Sequence, residues 1–408
     1  MFVLQNHFVG YKPCVDFLRA LEMASAWEPP VVSGIIQVGP LRYFPKTQTR
    51  EREDDLRRVK LISLVSIVVF LTLLVGWMLA QRPMRSAGSS DADTIPPLYL
   101  RTRIALPGVY GRMDHYGLDT KRDILIVSAL GNNTVELISN WKRVHTITGF
   151  EHPQGSLYVP GVDRIVVSDQ AGKVRFYDAG TYKLLKTLDF GEDSDTDNLR
   201  YDPAAKLVYV GYGEDETGAI GVINPATMEH VKDYKLGSHA ESFQLEKNGP
   251  RIFANLPDQE SFGVIDRKTG IVNKWKIPGI AKNHSLALDE TGHRLFTAEL
   301  APPGGLTVVD TDSGKVIAHL PCVLGVDDVW FDAPRKRIYA PGSGFIDVFQ
   351  QMDPDHYTPL AHVPVGAGAG STSLLLPESR TTEGTLYMSW PNMLSQGGSE
   401  VLLFYVGD

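Results

Sequence analysis

Residues 286–320 read LALDETGHRLFTAELAPPGGLTVVDTDSGKVIAHL. The first run, Leu286-Ala287-Leu288-Asp289, closes on an acid, and Arg294-Leu295-Phe296-Thr297 follows a few residues later. A third run, Thr307-Val308-Val309-Asp310, enters the polar turn Asp310-Thr311-Asp312-Ser313-Gly314, and Lys315-Val316-Ile317-Ala318-His319-Leu320 completes the unit. The turn suits a tight reversal in which glycine takes positive φ. The runs alternate or are rich in β-branched and aromatic residues, and no 3.6-residue period interrupts them, so the unit reads as four antiparallel strands.

The same unit extends in both directions. First strands recur as Tyr116-Gly117-Leu118-Asp119, Ser156-Leu157-Tyr158-Val159, Leu199-Arg200-Tyr201-Asp202, Phe243-Gln244-Leu245-Glu246, Val329-Trp330-Phe331-Asp332 and Leu374-Leu375-Leu376-Pro377. With Asp289 of the quoted unit included, the seven closing positions step by 40, 43, 44, 43, 43 and 45 residues. Second strands follow each of them: 123–127, 164–167, 206–210, 251–254, 337–340 and 385–388. Four strands in about 43 residues, seven times over, predict an all-β, seven-bladed β-propeller over residues 97–408. Leucine-rich repeats are shorter, and helical repeats need the missing helical period. Leu98–Leu106 (LYLRTRIAL) resembles a fourth strand yet precedes the first complete unit, while the last unit stops at a third strand, Glu400–Val406. The N-terminal strand is therefore expected to complete the last blade and seal an otherwise exposed edge.

The 408-residue chain is 43% hydrophobic and 22% charged, an ordinary globular composition, and its 38 glycines and 26 prolines agree with many turns. Of the net charge of −8, residues 1–85 hold 11 Lys/Arg against 7 Asp/Glu and residues 86–408 hold 29 against 41. An acidic body disfavours electrostatic binding of nucleic acid, and none is expected as a partner. The two cysteines, Cys14 and Cys322, lie on opposite sides of an apolar segment, so a disulfide between them is not expected. Neither CxxC nor CxxCH occurs, which removes thioredoxin-type and covalent c-type haem chemistry.

The apolar segment is Leu61–Ala80, LISLVSIVVFLTLLVGWMLA, without a charge. Twenty residues at ~1.5 Å each span a hydrocarbon core, so residues 57–80 are expected to form one transmembrane helix or signal anchor preceding the propeller. Arg57, Arg58 and Lys60 place its N-terminal side in the cytoplasm and the body outside. A cleaved signal peptide is the alternative, against which Met78-Leu79-Ala80 makes a poor small-x-small site. Either reading exports the body, to a periplasmic or other extracytoplasmic location. Residues 1–56 read as a disordered segment or a start codon assigned too early, and 81–96 as a flexible linker.

Superposing the seven units brings polar residues to the same place, where each innermost strand begins. One column holds Asp114, Gln154, Asp197, Glu241, His284, Asp327 and Thr372; the next holds His115, Gly155, Asn198, Ser242, Ser285, Asp328 and Ser373. His152 and His239 stand two residues before Gln154 and Glu241, and Arg112 two before Asp114. In a propeller these positions surround the central channel, giving a polar, mostly acidic mouth for a small polar ligand or a protein. Carboxylates with histidines suit a divalent cation such as Zn²⁺, Mn²⁺ or Fe²⁺, whereas oxygen-only sites suit Ca²⁺. Of Asp327 and Asp328, only one is expected to face inward, because adjacent strand residues alternate. Arg112 either clamps a ligand carboxylate or phosphate or pairs with Asp114. No GxSxG, P-loop, HExxH or EF-hand loop is present.

A family comes into view in Gly111-Arg112-Met113-Asp114-His115, Leu130-Gly131-Asn132-Asn133-Thr134-Val135, Tyr201-Asp202-Pro203, Glu241-Ser242-Phe243-Gln244-Leu245-Glu246 and Gly344-Phe345-Ile346-Asp347-Val348-Phe349-Gln350. On these residues, the ~300 residues from about 97 onward resemble the YVTN-repeat, YncE-like propeller proteins of bacteria. The chain departs from the YVTN signature itself, with Tyr209-Val210-Gly211-Tyr212 among its nearest approaches. The resemblance implies a propeller and export, and it implies no particular reaction.

Three functions are weighed, in this order. The first is a non-enzymatic binding or scaffold module. The second is a lactonase-like hydrolase using a cation in the channel, with Asp114, His115, Glu241 and His284 as its acid–base groups. The third is a cofactor-bearing redox protein. Fold alone does not decide among them.

Overall fold

The computed structural model describes residues 96–407, except 193, 278, 281, 378–383, 395 and 396. The expectations for 1–56, for the apolar helix and for the linker up to residue 95 lie outside the described residues. Among the described residues, no helix is long and apolar enough to cross a membrane.

Seven four-stranded antiparallel sheets follow one another along the chain. Blades 1 to 6 occupy residues 116–148, 153–189, 199–235, 243–276, 283–321 and 330–364, each with its strands in chain order. Blade 7 joins three strands from 373–406 to the strand Leu98–Pro107. That closing strand runs antiparallel to Gly398–Val406, from Leu98 opposite Val406 to Pro107 opposite Gly398, with one irregularity between Leu100 and Thr102. The seven blades and the N-terminal closure expected from the repeat are both present.

The second strand of each blade explains why its sequence reads as an unbroken apolar run. Ile124–Ala129 (ILIVSA) is buried along its whole length because both of its faces are covered. Ile124 and Ile126 enter a cluster with Tyr158, Ile165 and Val167 of blade 2. Leu125, Val127 and Ala129 point the other way, to Ile104, Leu106 and Val401 of blade 7. Five further seams of this kind complete the circuit: blades 2–3, 3–4, 4–5, 5–6 and 6–7 each share one apolar cluster. The ring is thus held by seven blade-to-blade seams and not by a single central core.

The acid that closes many first strands has a local duty. Asp119 Oδ1 accepts the backbone N–H groups of Lys121 and Arg122, and Asp202 Oδ1 those of Ala204 and Ala205. The turn between the third and fourth strands repeats the device: Asp266 Oδ1 accepts from Lys268 and Thr269, and Asp310 Oδ1 from Asp312 and Ser313. These are side-chain turns that fix hairpin geometry, so this periodic acid signal is structural and not catalytic.

Candidate functional site

Several innermost strands are short: Tyr116–Asp119, Leu199–Asp202, Phe243–Leu245 and Trp330–Asp332. The residues just before them are irregular backbone, released from the pleat that would send neighbours to opposite faces. This corrects the expectation for Asp327 and Asp328. Both are buried and both join the central network, Asp327 through Arg112 and Thr372, Asp328 through His115 and the Ser373 N–H.

The network crosses the channel. Arg112 Nη2 reaches Asp114 Oδ2 at 3.2 Å within blade 1 and Asp327 Oδ2 at 3.4 Å from blade 6. His115 Nδ1 lies 3.1 Å from Asp328 Oδ1, and its Nε2 lies 2.9 Å from Asn198 Nδ2 of blade 3. Asn198 in turn donates to the Glu241 carbonyl of blade 4 at 2.7 Å and accepts from Arg200 Nη1 at 2.9 Å. His284 of blade 5 stands between Glu241, 3.1 Å from its Nε2, and Asp327, 3.5 Å from its Nδ1. Thr372 closes the circle, donating 2.8 Å to the Met113 carbonyl and 3.3 Å to Asp327. Asn198 Nδ2 also lies 3.4 Å from Asp197 Oδ2, so nine of the residues singled out from the sequence interlock here: Arg112, Asp114, His115, Asp197, Asn198, Glu241, His284, Asp327 and Thr372.

Three other residues singled out from the sequence, His239, Gln154 and His152, sit to one side. His239 is buried and its Nδ1 faces the Gly213 carbonyl at 2.8 Å, one residue pair from Glu241. Gln154 donates to Asp195 Oδ1 at 2.6 Å and to the Thr196 carbonyl. His152 is exposed and pairs with Gln170, 2.8 Å away. Glu151, His152, Gln170, Asp195 and Glu214 border a cavity of about 690 Å³. The superposition of repeats placed Asp328 in its second column but did not select Arg200, Asp195 or Glu214. Arg200 stands two residues beyond Asn198 of that column. Glu214 lies in the turn between the second and third strands of blade 3, which that alignment ignores.

One glycine makes the His239 position available. A Cβ on Gly218 would come within 1.9 Å of the Ser238 carbonyl oxygen and 2.7 Å of the His239 nitrogen. The 213–218 turn can thus pack directly against the backbone that carries His239.

Charge is distributed unevenly among these groups. Burial, only partly offset by Arg112, pushes the Asp114 carboxyl above its ordinary value, and burial likewise raises Asp197 to about 7. Burial acts the same way on Glu241, but the hydrogen bond and charge of His284, with His239 and Arg112 beyond, outweigh it and hold Glu241 at about 2. Burial opposes charge on His284, yet Glu241, Asp327 and Asp197 together lift it to about 9. Asp327 is likewise lowered, because Arg112 and His284 overcome its burial.

At His115, electrostatics and hydrogen bonding oppose one another. Burial works against the imidazolium, while Asp328, Asp114 and Asp197 more than offset it and raise the ring well above its ordinary value. The Asn198 amide is oriented by its bonds to Arg200 and the Glu241 carbonyl, so it turns an N–H toward His115 Nε2. With the ring neutral, Nε2 accepts that N–H, and protonating it sacrifices the Asn198 bond.

No family model and no curated protein matches the chain. Solved structures do resemble it in fold. One, described as the mitotic checkpoint complex, superposes with a TM-score of 0.64 at 12% identity, covering 80% of this chain and 98% of that one. Another, the hydrazine synthase of Kuenenia stuttgartiensis, gives 0.61 at 16% identity, covering 79% and 100%. At such identities the likeness establishes the propeller architecture alone.

Proposed function

We propose that the propeller is a binding module whose channel mouth recognises a small polar ligand or a polar segment of a partner protein. We further propose that it is displayed outside the cytoplasmic membrane by the apolar segment 61–80, in keeping with its resemblance to YncE-like proteins. The observation that carries the binding reading is the convergence of charged and amide side chains from blades 1, 3, 4, 5, 6 and 7 on one mouth. There, the Arg112 side chain remains 55% exposed while its carboxylate partners are buried. An exposed guanidinium on a buried acidic base offers donors to a solute without first having to be desolvated.

The hydrolase reading asks Asp114, His115, Glu241 or His284 to present a free base. His284 is flanked by carboxylates on both nitrogens, His115 by Asp328 and Asn198, Asp114 by Arg112, and Glu241 by His284. That mutual engagement favours binding over proton transfer.

A thermal-shift screen of small polar solutes on the full chain in detergent tests the proposal. Stabilising solutes should lose their effect in Arg112→Ala and keep it in a variant of the outer strand such as Lys142→Ala. Equal shifts in both variants would remove the mouth from the explanation. For the membrane component, cell fractionation should recover the intact chain in the pellet, resistant to salt extraction. A shortened, soluble product would defeat the anchor.

A further inference from the structure

We propose that Asp197, His239 and Glu241 form a binding site for one first-row divalent cation of the Mn²⁺ or Zn²⁺ kind, on the blade 3–blade 4 side of the mouth. The proposal deepens the binding reading by naming one ligand of that mouth.

The three side chains can each present one ligand atom so that all three atoms lie within 4.8 Å of one another. Ligands held ~2.0–2.2 Å from a zinc-sized ion are about 3–4 Å apart, so small side-chain rotations suffice. Two independent features point to a cation beyond the clustering of acids. First, Asp197 is 94% buried, at 6% exposure, and its Oδ1 has no hydrogen-bond partner. His115 Nε2 is 3.6 Å from that oxygen, beyond hydrogen-bond reach, and lies closer to Asn198 Nδ2, at 2.9 Å. A buried carboxylate oxygen with no donor is costly unless a proton or a cation meets it.

Second, His239 is arranged as a ligand. Its Nδ1 points to the Gly213 carbonyl at 2.8 Å, which places the proton there and leaves the Nε2 lone pair free. Metal-binding histidines usually donate their second nitrogen to a carbonyl or carboxylate in this manner, which fixes the tautomer and the ring plane. The backbone beneath is also fixed. The Asp197 N–H donates to the Gly211 carbonyl at 2.9 Å, and the Gly211 N–H returns to the Asn198 carbonyl at 3.1 Å.

One imidazole with two carboxylates selects transition-series ions over Ca²⁺ and Mg²⁺, which prefer oxygen alone. Three protein ligands leave a position open toward the channel for water or a polar solute. A neighbouring set, Asp195, Glu214 and His239, shares the same imidazole. It is less suited, because Glu214 lies exposed and Asp195 is less buried than Asp197.

The experiment uses the full chain in detergent, stripped with chelator and titrated with Mn²⁺, Zn²⁺ and Ca²⁺. Native mass spectrometry supplies the stoichiometry, and electron paramagnetic resonance reads the Mn²⁺ environment. One equivalent of Mn²⁺ or Zn²⁺ should bind, with Ca²⁺ at least tenfold weaker and a nitrogen coupling on Mn²⁺ from His239. Asp197→Asn and His239→Gln should each weaken binding at least a hundredfold, and His239→Gln should erase the nitrogen coupling. Glu214→Gln should leave affinity within threefold. Circular dichroism and the unfolding midpoint establish that each variant is folded, and Asp197→Asn, which removes an orphaned charge, should not lower that midpoint. No stoichiometric ion, preference for Ca²⁺, or binding that survives both substitutions would overturn the site, as would loss only in Glu214→Gln. If the ion fails to bind while polar solutes still act through Arg112, the cation is refuted and the binding mouth stands.

Discussion

Replacing Leu106 with alanine empties part of the seam between the last blade and the first. Leu106 is fully buried beside Ile104, Val109, Met113, Leu125, Val127 and Val401, so three of its neighbours belong to the closing segment or blade 7 and others to blade 1. Truncating a leucine in so dense a seam costs about 2–5 kcal/mol, of which the cavity left behind is a large part. We expect about 3 kcal/mol. Leu100, on the same strand but 44% exposed, should cost less than about 0.5 kcal/mol when truncated. Urea unfolding followed by tryptophan fluorescence separates the two, because a denaturant slope of about 2–3 kcal/mol per M turns 3 kcal/mol into a midpoint shift of about 1 M or more. The slope itself should stay constant. Equal, small shifts for Leu106→Ala and Leu100→Ala would mean that the strand Leu98–Pro107 adds nothing to the stability of the ring, and the closure argument would fall.

Other outcomes follow from the mouth and its surroundings. Asn198→Ala strips His115, Arg200 and the Glu241 carbonyl of a shared, buried partner, and should lower stability by about 1–3 kcal/mol in the same urea assay. In chelator-treated protein, His284, raised to about 9, should contribute stability that is complete below its ordinary value near 6.5 and lost as pH rises toward 9. Glu241, held at about 2, contributes stability present above its ordinary value of 4.5 and lost as pH falls through 2. His284→Asn should therefore flatten the alkaline decline in unfolding midpoint between pH 6.5 and 9; an unchanged decline would assign it elsewhere. Burial, followed by the charge of Asp347, pushes the Cys322 thiol up, so with Cys14 changed to serine the native chain should react with a thiol reagent far more slowly than the urea-unfolded chain.

The architecture was legible because a propeller repeats one solution. The second strands ILIV, RIVV, LVYV and RIFA are apolar on both faces for one reason, and the period of their recurrence carries the blade count. The closing strand was legible from an imbalance at the chain ends. The mouth was legible only as columns of polar positions, and its chemistry depends on what columns omit. Asp327 and Asp328 act together because their backbone is irregular, which alternation rules do not describe. The orientation of the Asn198 amide is decided by Arg200 and a carbonyl from another blade, and the tautomer of His239 by the Gly213 carbonyl. His152 shares its spacing to the repeat column with His239 yet ends on the rim, because its neighbour is Gln170 and not a buried carbonyl. Spacing along the chain placed these residues near the axis; contacts between blades set their roles.

Hydrogen-exchange mass spectrometry of the full chain, with and without a solute that stabilises it, reaches the central claim most directly. Slowed exchange is predicted at once in segments around 112–115, 197–198, 239–241, 283–285, 327–328 and 372–373, which are far apart in sequence and meet only at the mouth. Protection confined to a single blade, or to the outer strands, would contradict it.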